Sequence, residues 1–337
     1  MRASPQKEDA ADGPSLKRPR TDSTISPCQD AYTRDKRFWY PDGNIIVVAQ
    51  GVAFRVFKSI LAGESEVFRD MFQLPTPAPD PPESSGLNTV DDCPVVHVTD
   101  TAAEFRSLLD VLLRGMQYIR RRAFSFEEVA NCIRLAHKYG FQEILEDSMG
   151  ELTDWFPADF DSWDSAPGCD STLDPIVAVN LARLTNNMSV LAIALYLCCQ
   201  IDVKDLVRGR VRSGNVVDTL SDDDFVRCMH GKALLCTRKV QMVQDVFAHV
   251  ENPACTRGPR WCNASLDNIM AEQTRCVEEG DADVLAPWND IIRSHRRRCK
   301  PMPKSPLCSP CVAFVIDRET KIRAELWSDL PYLFGLQ

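Results

Sequence analysis

The residues best suited to chemistry in this 337-residue chain are its 14 cysteines. Eight of them follow residue 220, and the C-terminal region carries Cys255-x6-Cys262 and Cys308-x2-Cys311. Two thiol pairs of this kind build a structural zinc site, because four soft thiolates about 2.3 Å from the ion close a tetrahedron and tie distant segments together. The x2 spacing suits such a knuckle, whereas x6 is wider than the usual x2 to x4. Pro310, inside the second pair, favours a turn there over a helix. Cys276 and Cys299 stand as alternative ligands. The other reading is ordinary free thiols packed as small hydrophobes, as expected for Cys132, Cys198 and Cys228 on apolar helical faces. A thiol-disulfide active site is less favoured, since no βαβ pattern precedes Cys308.

Other chemistry finds little footing. The chain has no Gly-x-Gly-x-x-Gly, Walker A, Gly-x-Ser-x-Gly or His-Glu-x-x-His run, so phosphate cradles, nucleophile elbows and zincin sites lack support and no enzyme is expected. Of five histidines, His97 falls in a strand pattern and His137, His230 and His249 on helices, where structural or surface roles are the rule. Asp222, Asp223 and Asp224 follow Ser221 and read as helix N-terminal charges favoured by the macrodipole. The basic run His295 to Arg298, with Lys300 and Lys304, reads as a solvated helix end.

A net charge of −9 excludes broad nucleic-acid binding, which needs a basic footprint. The longest apolar run, 190–199, is far short of the roughly 20 residues that span a bilayer. Charges occupy the N-terminus where a secretory signal places its apolar core. The expected compartment is therefore the nucleus or cytoplasm, where thiols stay reduced.

The elements that must position these residues follow from pattern. Residues 1–35 are polar and proline-containing and read as a disordered tail, with Lys17, Arg18 and Arg20 as a nuclear-import candidate. Two β-rich runs, 45–49 and 52–57, form a hairpin, and Ser59 is placed to cap a helix through Phe72. Prolines fill 73–92, a surface insertion. A strand over 94–98 follows, then helices opened by the capping boxes Thr101/Glu104 and Ser125/Glu128. Gly140 stops the second of these helices, and another runs to Phe156. An acidic linker, 157–172, leads to 173–337, which reads as all-helical, with a split at Asn186 and Asn187 and a helix from Ser221.

Within the first part, Asn44 to Val48, Phe54 to Ala62 and Ser65 to Phe72 resemble the opening of a BTB/POZ domain, where an F-x-V-H-K-x-x-L-A-x-x-S-x-x-F-x-x-M-F run joins the first hairpin to the first helix. Leu135 to Tyr139 is similar to the family's late helix, so the resemblance spans 38 to about 155. Phe57 stands where the family usually has histidine. The whole chain, with Phe38 and Trp39 early and Trp288 and Trp327 late, resembles the BTB proteins numerous in mushroom-forming fungi.

The resemblance implies an α+β fold, a BTB/POZ domain over 36–156 with a small mixed sheet covered by helices, followed by an all-α domain. It implies a non-enzymatic adaptor that homodimerises, with Phe38, Trp39, Ile60, Val67 and Met71 as interface candidates. It also admits a nuclear transcription or chromatin regulator, and a substrate receptor for a cullin-class ubiquitin ligase. The proline-rich insertion lies near the surface that such domains offer to a cullin scaffold and counts against that partner.

Overall fold

The computed structural model describes residues 32–73, 89–90, 93–115, 124–165, 172–276, 281–294 and 307–336. Lys17, Arg18 and Arg20 lie outside them, as does most of the proline-rich insertion. Among the described residues no helix is long and apolar enough to cross a membrane.

The fold is mixed α+β. The first unit holds β1 (Thr33–Trp39), β2 (Ile45–Ala49), β3 (Val52–Val56), β4 (Thr89–Val90) and β5 (Cys93–Val98). They form one sheet in the order β1-β3-β2-β5-β4, antiparallel at β2-β3 and β4-β5 and parallel at β1-β3 and β2-β5. Strand β2 is buried along its whole length because both of its faces are covered. Ile45, Val47 and Ala49 point to the main core with Phe54 and Val56, whereas Ile46 and Val48 meet Ala53, Cys93 and half-buried Trp39 on the other side.

The helices of this unit are α1 (Lys58–Glu64), α2 (Glu66–Gln73), α3 (Ala102–Arg114), α4 (Phe126–Tyr139) and α5 (Gln142–Trp155). Both capping boxes form as expected, and Gly140 adopts the left-handed conformation that stops α4.

Several residues of this unit depart from what their sequence pattern predicts. The tail ends before 35, since Thr33 to Asp35 already belong to β1. Asp35 is buried, accepts the Arg37 and Phe38 N–H groups and pairs with Arg106 at 2.6 Å. Ser59 caps nothing. The helix breaks instead at Ser65, whose hydroxyl accepts the Phe68 N–H and donates to the Tyr139 carbonyl. Phe38 is fully buried in the unit's own core, so it is not available to a dimer interface. Thr89 and Val90, at the end of the proline-rich stretch, form an edge strand.

The second unit comprises α6 (Phe160–Ser165), α7 (Pro175–Leu184), α8 (Met188–Cys198), α9 (Val203–Arg208), β6 (Arg210–Arg212), β7 (Val216–Asp218), α10 (Asp222–Val246), α11 (Pro259–Cys276), α12 (Asn289–Ser294) and α13 (Ser309–Leu333). Helix α8 is buried from Val190 to Cys198 and forms the axis of this unit. The split before it is as expected, with Asn186 at φ 54 and Asn187 capping α8 through the Val190 N–H. Ser221 caps α10, and Asp224 in its first turn pairs with Arg183 at 2.5 Å.

Helix α6 lies within the expected linker. Its Trp163 packs on Tyr196 and Trp327, and its Asp164 pairs with buried Arg323. The irregular segment 281–288 is held inside by polar contacts. Asp283 bonds the Tyr196 hydroxyl at 2.5 Å, Lys239 donates to the Asp283 carbonyl, and Glu319 accepts the Trp288 N–H.

The second unit is not purely helical. The β6-β7 hairpin turns through Gly214 and Asn215, both at positive φ, and reaches back to the first unit. Its Arg212 pairs with Glu104 and Asp218, its Ser213 N–H donates to Glu127, and the Gly214 carbonyl accepts from Gln50 at 2.8 Å. Arg134 closes the set on Asp218 at 2.9 Å. A Cβ at Gly214 would stand 3.0 Å from Thr101, so glycine is required by approach as well as by φ. The two apolar cores also meet along α4, whose Phe126, Val129 and Ile133 enter one and Leu135, Ala136 and Tyr139 the other.

Burial acts to raise the Glu104 carboxyl, but the Thr101 N–H, Arg212 and the Thr101 hydroxyl outweigh it and hold it below its ordinary 4.5. The stabilisation is therefore complete above about 4.5 and is lost as pH falls through the lower folded value. Replacing Arg212 by Met should cost about 3 kcal/mol at pH 7, since it leaves buried Glu104 without its cationic partner, and should flatten the loss of stability between neutral and acid pH. Urea unfolding at both pH values checks this, and an unchanged midpoint contradicts the clasp.

Candidate metal centre

Helix α10 ends at Val246, and the chain crosses from it to α11 as an irregular loop. Arg318 of α13 fixes the start of this loop by donating to the Ala248 carbonyl at 2.7 Å and the Val246 carbonyl at 3.3 Å, where a helix leaves its last carbonyls unpaired. Asn252 then turns the chain: its side chain accepts the Ala254 N–H at 3.0 Å, and its carbonyl accepts the Cys255 N–H at 3.0 Å. Gly258, at φ +86, admits the turn into α11, which Pro259 opens. Cys262 sits in the first turn of that helix. The wide x6 spacing is thus the length of chain needed to enter a helix between two ligands.

The second pair comes from the start of α13. Cys308 is its N-cap residue, and Pro310 and Cys311 lie in its first turn. The sequence reading of Pro310 as favouring a turn over a helix is corrected: proline is accepted in a first helical turn, where its missing N–H has no intrahelical partner to lose.

The sulfurs of Cys255, Cys262, Cys308 and Cys311 all lie within 4.8 Å of one another. Cys255 to Cys262 is 3.7 Å, Cys262 to Cys308 3.8 Å and Cys308 to Cys255 3.8 Å. These spacings are far from the roughly 2.05 Å of a disulfide. They match the ~3.75 Å edge of a tetrahedron with metal-sulfur bonds of about 2.3 Å. Cys262, Cys308 and Cys311 are buried, and Cys255 is half-buried at the rim.

Donors point at the sulfurs. Asn252 Nδ2 reaches the Cys311 sulfur at 3.9 Å while bonding the Pro310 carbonyl at 3.1 Å. Burial pushes the Cys308 thiol up, but the Cys311 and Thr256 N–H groups, with side-chain hydrogen bonds from Cys311 and Thr256, outweigh it and bring it to about 5. Burial pushes Cys262 and Cys311 up instead. A divalent cation would displace the remaining thiol protons, leaving four thiolates in a closed shell with no position for substrate. The four cysteines thus fit a bound metal ion in number, chemistry and spacing. The donors Asn252 and Thr256 were not singled out from sequence: Asn252-Pro253 signals a turn, and nothing in it signals a contact with sulfur.

Cys132, Cys198 and Cys228 are buried as small hydrophobes, as expected. Cys93 and Cys199 are buried too, and Cys199 donates to the Cys228 carbonyl at 3.4 Å. Cys276 ends α11, and Cys299 lies outside the described residues. His97, His137, His230 and His249 are exposed. Of the interface candidates, Ile60 and Met71 are half-buried and Val67 is 43% exposed on the helices beside the sheet. Searches against models of protein families, curated proteins and solved structures find no match.

Asn252→Ala removes a donor to one sulfur and is expected to weaken retention of a divalent metal roughly 10- to 100-fold, measured by competition with a chromogenic chelator. Unchanged retention would show that Asn252 serves only the loop.

Proposed function

We propose that the chain is a non-enzymatic protein-protein interaction adaptor, in which residues 36–156 form a BTB/POZ domain that self-associates. The second unit, stiffened by a structural Zn²⁺ on Cys255, Cys262, Cys308 and Cys311, holds a partner or braces the first. The observation that carries the self-association is Val67, 43% exposed on α2 while its neighbour Phe68 is fully buried, with Ile60 and Met71 half-buried on the same pair of helices. An exposed apolar group of this kind would meet its own copy across a two-fold axis, where one patch serves both subunits. Trp39 is a separate candidate on the far side of the sheet, half-buried beneath Arg34, 4.6 Å from its ring.

Zinc is the ion favoured by an all-sulfur, four-coordinate shell, and it supplies no redox chemistry of its own. Two helix N-termini direct partial positive charge at the thiolates, from α11 through Cys262 and from α13 through Cys308 and Cys311.

Native mass spectrometry of the full chain should give a dimer with one zinc per chain. Val67→Arg combined with Met71→Arg should give a monomer that keeps its zinc and its circular dichroism, since neither side chain is fully buried. A wild-type monomer contradicts the self-association, and a wild-type mass with no metal contradicts the zinc assignment.

A further inference from the structure

The four sulfurs are not equally reachable. Cys262, Cys308 and Cys311 are buried, and Cys255 stands half-buried on the loop at the rim of the cluster. A small oxidant arriving from water therefore meets Cys255 first. Cys262 lies 3.7 Å from it on the same continuous stretch of chain, and Cys308 lies 3.8 Å away. Cys308 and Cys311 belong instead to α13. A bond within the first pair would thus leave the second pair behind and cut the thiolate link between the α10-α11 connection and the start of α13.

Building on the zinc assignment, we infer that the centre is a redox-released staple, in which a peroxide joins Cys255 to Cys262 and expels the ion. The Cys255 thiolate attacks one peroxide oxygen, the O–O bond breaks, and a sulfenic acid forms as hydroxide leaves. The Cys262 thiolate then attacks the Cys255 sulfur, forming the S–S bond and expelling a second hydroxide. Two protons convert both hydroxides to water. Sulfur is oxidised by two electrons and peroxide is reduced by two. Left with only the Cys308 and Cys311 thiolates, Zn²⁺ departs with its charge unchanged. The α10-α11 loop is then held to α13 by its remaining polar contacts, among them those of Arg318 and Asn252.

The test uses the full chain purified with its zinc, treated with one equivalent of hydrogen peroxide in the presence of a chromogenic zinc chelator. The expected result is one zinc released per chain, a Cys255–Cys262 disulfide in the peptide map, and recovery of the zinc-bound form on adding a reductant and Zn²⁺. Cys255→His keeps a fourth zinc ligand but cannot form the disulfide, and release from it should slow at least about tenfold. Zinc retained by the oxidised wild type, or a map showing Cys308–Cys311 or Cys255–Cys308 instead, overturns the inference whatever the variant does. Protein that carries no metal as purified overturns the zinc assignment itself, so the two failures are distinct.

Discussion

Four sulfur atoms gathered within 4.8 Å of one another are the constraint around which the C-terminal third of the chain is arranged. Thiols so close to each other gain little as hydrogen-bonding groups, whereas an ion among them turns the same geometry into a cross-link. The segments it joins are the loop carrying Cys255 and the first turns of α11 and α13. The loop after α10 turns on Asn252 and Gly258, and the stretch before α12 is irregular and buried. Arg318 capping α10 and Arg323 bridging Asp164 and Glu319 both project from α13, so the helix anchored by Cys308 and Cys311 also organises the surrounding polar contacts.

The hairpin clasp plays the complementary part at the other end. Its charged groups are only slightly exposed, and buried pairs of this kind are strongly destabilising to break even where a hydrophobic replacement would be as stable. Together with the two faces of α4, it makes the relation between the units a packed interface. In the adaptor proposed above, this packing would hold the proposed self-association surface and the second unit in a fixed geometry, as an interaction scaffold requires.

Much of this was legible in the residues. Capping boxes depend on short-range chemistry, so Thr101 with Glu104 and Ser125 with Glu128 announced their helices, and Asn186-Asn187 announced a break. The two cysteine pairs pointed to the candidate metal centre because ligands must be specific residue types whatever fold surrounds them. What sequence left hidden depended on tertiary contacts. Strands β6 and β7 have three residues each, too few for alternation to register, and their stability comes from ion pairs to residues about a hundred positions away. Asp35 looks like tail until Arg106 is seen beside it. Ser65 breaks its helix because Tyr139, distant in sequence, accepts its hydroxyl. Phe38 reads as interface or core with equal ease from its type alone, and packing decides for the core.

The central claim, that these cysteines form a closed tetrathiolate zinc centre, is tested most directly by X-ray absorption at the zinc edge of the purified chain. The account predicts four sulfur neighbours at about 2.3 Å and no nitrogen or oxygen in the first shell. A shell containing oxygen or nitrogen, or zinc that washes out under mild chelation without changing the thermal unfolding of the chain, would contradict it.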